Sequence, residues 1–109
     1  ESIMQVAVIH KAFEDTPRTV AFVTVPDGTV HEEALEYAYR WTNNVMGSWS
    51  IKEETFSNGE ANGDFNENVT RMAPLHEGGM GLRSTSMGDQ MLVGNKKYKV
   101  AMCGFEEVA

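Results

Sequence analysis

The chain has one cysteine, Cys103, among its 109 residues. No internal disulfide and no all-cysteine metal site can form from it, and a lone thiol in a strand pattern is expected to be a small core residue. Cations are also scarce: 9 Lys and Arg stand against 16 Asp and Glu, a net charge of −7. General binders of nucleic acid or of anionic membranes need a basic footprint, so the balance argues against both classes. No apolar run approaches the roughly 18 residues of a membrane span, and no signal-peptide pattern opens the sequence. A cytoplasmic location is therefore expected. His10, His31 and His76 lie far apart, without the short ligand spacing of a zinc site, and neither a metal nor a cofactor is expected.

At 41% hydrophobic, the chain can form one domain with one modest core. Val6 to Ile9 and Val20 to Val25 read as two strands pairing as an antiparallel hairpin, the second stopped by Pro26-Asp27-Gly28. Thr29-Val30-His31-Glu32 has the form of a capping box. The helix it opens is predicted to reach about Val45, with Val30, Ala34, Ala38, Trp41 and Val45 on one apolar stripe and Gly47 as its cap. Glu36 and Arg40 are spaced to pair across one turn. Trp49 and Ile51 alternate with polar residues as a third strand would. Glu53 to Asn68 is polar and too long for an ordinary connection, so it is either a functional loop or a mobile excursion. Val69 and Met72 give a weak strand ended by Pro74.

The last quarter reads most clearly. Met91-Leu92-Val93, the turn Gly94-Asn95, and the alternation of Tyr98, Val100 and Met102 with Lys97 and Lys99 predict a tight hairpin. Gly104 then interrupts the pattern as a bulge or a close backbone approach would, and Phe105 and Val108 return apolar surface to the core. The fold class that follows is α+β: one amphipathic helix packed on a small, mostly antiparallel sheet able to curl into a partial barrel.

Motifs for chemistry are thin. Gly78-Gly79-Met80-Gly81 lacks the Lys-Ser/Thr of a phosphate loop. Asn62, Asp64 and Asn66 alternate like the first ligands of a calcium loop, but Glu67 replaces its glycine and Ala73 its closing glutamate. Ser84, Ser86, His76 and Asp89 supply hydrolase residue types without a nucleophile elbow. No catalytic residue is assigned, and an enzyme is not expected.

Charge is distributed unevenly. From Glu32 to Glu67 eight acidic residues face Arg40 and Lys52, whereas from Arg83 to Lys99 four basic residues face only Asp89. The acidic middle nominates Glu32, Glu33, Glu36, Glu53 and Glu54, with Trp49 as an aromatic anchor, for binding another protein. The basic hairpin nominates Arg83, Lys96, Lys97, Tyr98 and Lys99 as an alternative nucleic-acid surface.

Arg83-Ser84-Thr85-Ser86-Met87-Gly88-Asp89, followed by Tyr98-Lys99-Val100 and Gly104-Phe105-Glu106-Glu107-Val108, resembles the ends of a group of small tailed-phage and mobile-element proteins, among them the YodL-like group. Leu35 to Ser50 and Asn66 to Leu75 are also similar to phage proteins, so about half the chain is touched. The resemblance implies a phage-encoded accessory protein that binds a host or phage protein, for example as an inhibitor of a defence or nucleic-acid enzyme. A structural, virion-associated role is the further alternative.

Overall fold

The computed structural model describes residues 3–108. Its elements are β1 (Ile3–His10), β2 (Arg18–Pro26), α1 (His31–Trp41), β3 (Val69–Arg71), β4 (Gln90–Val93), β5 (Lys96–Val100) and β6 (Phe105–Val108), with a 3₁₀ turn at Glu77–Gly79. The strands make one six-stranded sheet in the order β3-β2-β1-β4-β5-β6, antiparallel throughout. The expected α+β architecture is present. A partial barrel is not: among the described residues β3 and β6 each have one neighbour and do not meet, so the sheet stays open.

Register explains the core. Val6 lies opposite Val23 and Val93, and Val8 opposite Ala21 and Met91, so the period of two puts these side chains on one face. Ala34, Leu35 and Ala38 of α1 close over that face, and Trp49 and Leu82 complete a fully buried cluster. Between Val8 and Ile9 the register shifts, leaving Val20 as the extra residue of a bulge. Gly94 has φ +61° while Asn95 stays negative, the pattern of a type II′ hairpin turn. Gly104, at φ +81°, belongs to the turn between β5 and β6 and has open space around it, so it is neither a bulge in a strand nor a close approach. Cys103 and Met102 sit in that turn, exposed, rather than in the core.

The helix departs from its predicted ends for local reasons. No side chain caps its start at Val30; the Thr29 hydroxyl instead donates to Pro26 O at 2.6 Å, closing the preceding turn. At the other end Thr42 Oγ1 donates to Ala38 O and Asn43 Nδ2 to Tyr39 O. Those bonds occupy carbonyls of the last turn, so the helix stops at Trp41 rather than Val45. Val30 and Val45 are consequently exposed. Arg40 turns away from Glu36 and reaches buried Asp64 at 3.2 Å.

The long stretch after α1 contains no strand at Trp49–Ile51, but it is firmly built. Asn62 Oδ1 accepts from the Ser48 and Asp64 amides, and its Nδ2 donates to Ser48 O, Ile51 O and Glu53 O. Asp64 Oδ2 accepts from the Val45 and Met46 amides at 2.7 and 2.8 Å. The oxygens that looked like calcium ligands are thus spent on backbone. Asn66 and Asn68 both donate to the Tyr37 hydroxyl, fastening the end of the excursion to the helix.

Candidate protein-binding cleft

Helix α1 packs on β1 and β4. The sheet continues past it, so the helix-facing side of β5 and β6 is only partly covered. Two hollows of about 230 and 340 Å³ open there, with Phe105 lining both. The first is lined by Glu36, Tyr39, Val100, Met102 and Phe105, the second by His31, Glu32, Leu35, Tyr98 and Phe105. Leu35, Val100 and Phe105 give an apolar floor; Glu32 and Glu36 stand on the helix rim. Tyr98 and His31 brace the walls through a 2.8 Å hydrogen bond between His31 Nδ1 and the phenol. Tyr39 meets Phe105 edge to face at 6.1 Å. At the lip, Met102 is 88% exposed.

Of the acidic residues nominated from sequence, the cleft joins Glu32 and Glu36. Glu33 is exposed on the same helix but lines neither hollow. Glu53 lines a separate hollow with Ile51, Thr55 and Phe56, while Glu54 is exposed beside it. Trp49 cannot serve as a surface anchor: it is fully buried, its indole N–H donates to Arg83 O at 2.9 Å, and His10 packs against it edge to face. From sequence Phe105 is assigned to the core, and Tyr39 and the edge position of β6 go unnoticed, because an aromatic after a glycine reads as core until strand order is known.

The basic hairpin is dispersed. Arg83 is engaged by Asp89 and Glu14. Lys96 and Lys99 pair with Glu107 and Glu106 across the ladder, each at 3.6 Å. Register puts Lys97 and Lys99 on the outer face, and Lys96 and Tyr98 on the helix side.

The Ser-rich turn with its Gly-Asp ending has a structural explanation. Asp89 is fully buried and accepts from the Lys11, Ala12 and Ser86 amides, and from Arg83 in a two-pronged contact at 2.8 and 2.9 Å. It clamps the β1–β2 loop to the turn before β4. Burial pushes its carboxyl up, but the Arg83 hydrogen bond and the three amides outweigh this and hold it at about 2. The same contacts hold the Arg83 guanidinium firmly charged, and the Arg83 hydrogen bond lowers Glu14. Beside the clamp, Thr85 Oγ1 donates to Thr42 Oγ1, which donates to Ala38 O. Thr85 must then accept from His10 Nε2–H at 3.0 Å, which fixes the neutral tautomer. Burial first, then the Arg83 charge, lowers His10 to about 4.

His76 is exposed, and Ser84 accepts from the Asn44 amide. Among the described residues no three His, Cys, Asp or Glu side chains come together to hold a metal ion, and no helix is long and apolar enough to cross a membrane. Compared with known proteins, the chain matches no family model, no curated protein and no solved structure.

Proposed function

We propose that this is a non-enzymatic, phage-encoded accessory protein that acts in the host cytoplasm by docking a basic segment of a host or phage protein. An inhibitor of a defence or nucleic-acid enzyme fits that description. The observation that carries the reading is the α1–β5–β6 cleft, where Glu32 and Glu36 flank an apolar floor. Neither carboxylate has a cation within ion-pair distance among the described residues. An apolar patch rimmed by unpaired charge of one sign favours a partner of the opposite sign and speeds its encounter. The nucleic-acid alternative draws less support, since Arg83 is committed internally and Tyr98 faces away from Lys97 and Lys99.

The test is affinity capture from host lysate with nuclease present, followed by titration of the purified partner. The double variant Glu32→Lys with Glu36→Lys is expected to weaken binding at least about tenfold, and wild-type binding to fall with salt. Equal affinity for both forms refutes the cleft. Recovery of nucleic acid alone moves the function to the outer lysines, and self-assembly or co-purification with particles to a virion role.

A further inference from the structure

The cleft ends at a strand edge, and the edge has a definite chemistry. Ala101 N donates to Gly104 O, with Val100 opposite Phe105. Antiparallel alternation then makes Lys99–Glu106 and Lys97–Val108 the hydrogen-bonded pairs. The amides and carbonyls of Phe105 and Glu107 consequently point outward, and β6 has no second neighbour among the described residues. On the helix side that edge carries Phe105 and Glu107; on the outer face it carries Glu106 and Val108. A strand laid beside it meets, in order, an apolar residue, two carboxylates and an apolar residue, whichever way it runs.

We infer that β6 accepts an extended segment of the partner by strand addition, and that this segment reads apolar–basic–basic–apolar. The inference rests on the protein-binding reading of the cleft and names the recognition mode. Main-chain bonds to Phe105 and Glu107 supply the attachment. One basic side chain meets Glu107 on the helix-facing side of the sheet, and the other meets Glu106 on the outer face. The ladder pairs of these glutamates with Lys96 and Lys99 are long and about half exposed, so they leave both carboxylates available. A second copy of the chain is the wrong occupant: a full antiparallel β6–β6 pair sets each Phe105 opposite a Glu107 and Glu106 directly against its own counterpart, and like charges directly opposite are destabilising.

The probe is a short labelled peptide with a valine-arginine-arginine-valine core. Binding is expected to be saturable, and amide exchange at Phe105 and Glu107 is expected to slow at least about tenfold on its addition, with Glu106 and Val108 already protected. Glu107→Pro removes an outward N–H without touching the β5 ladder, and is expected to lose at least about ten times more affinity than Glu107→Gln, which removes the charge alone. No binding, equal loss in the two variants, or no protection at Phe105 and Glu107 overturns strand addition. So does protection of those amides without peptide that rises with protein concentration, which indicates a second copy. Should Glu107→Pro fail to fold, the wild-type exchange pattern decides. If the Glu32 and Glu36 reversal abolishes capture of the natural partner while these amides stay unprotected, the cleft stands and strand addition falls. If the amides are protected and the reversal leaves the natural partner bound, strand addition stands and the cleft falls.

Discussion

Lowering the pH from 7 to 5 should cost this fold about 2 kcal/mol through one side chain. His10 is 1% exposed and gives its Nε2 proton to a hydroxyl relay that ends on Ala38 O. Burial, reinforced by Arg83 and opposed by Asp89 and Glu14, lowers it from 6.5 to about 4. The folded state therefore binds fewer protons than the unfolded one between those values. The stability His10 confers is complete above pH 6.5 and is lost as the pH falls toward 4. Linkage gives about 2 kcal/mol lost by pH 5 and about 3 kcal/mol once below 4. Urea unfolding at a series of pH values measures this as a falling midpoint at constant slope. His10→Gln, which keeps an N–H donor and cannot titrate, should flatten that dependence. A wild-type midpoint unchanged from pH 7 to 5, or an equally steep fall in His10→Gln, refutes the argument.

Asp89→Ala leaves three backbone amides and the inward side of Arg83 without their acceptor. About 3 kcal/mol of destabilisation is expected in urea or thermal melts, less than a deeper ion pair would cost because Arg83 is 26% exposed and can rehydrate. Because Asp89 is held at about 2, its contribution persists above pH 4 and is lost as the pH falls through 2. Acid unfolding of the wild type should thus show a second, lower step that the variant lacks. Asn62→Ala removes the hub joining Ser48, Ile51, Glu53 and Asp64. Its main readout is rapid proteolysis between residues 53 and 61, with a global loss of about 2 kcal/mol; a loop as resistant as wild type refutes the hub.

The sheet was legible because its instructions are local. Val6 to Ile9 and Val20 to Val25 are β-branched runs, and Gly28 and Gly94 occupy turns that favour glycine. Strand order was not legible, since nothing near Val6 announces Val93 as its other neighbour. The helix ends were misjudged because Thr29, Thr42 and Asn43 each have more than one backbone partner within reach, and residue type does not say which one is taken. Whether the excursion after α1 was a built loop or a mobile one stayed open in the sequence, because its order comes from Asn62 and Asp64, polar residues that a mobile loop would also contain. Asp89 stood out as a hydrolase residue type without a nucleophile elbow, yet it joins two loops and an arginine in one hydrogen-bonded cluster. Glu32 and Glu36 were found from charge alone, while the surface beneath them required knowing that α1 stops short of β5 and β6.

The position of β1 has a consequence for how the chain acquires its shape. Val6 meets Val23 across a short loop, but meets Val93 only after the helix, the long excursion and the Ser-rich turn have been made. Closing so distant a contact is slow, because chain entropy is lost before the contact repays it. Capture of β4 by β1 is therefore expected to set the pace of folding. Until it happens one side of the Val-rich β1 strand stands open, and that half-finished sheet is the state in which the molecule is most prone to aggregate.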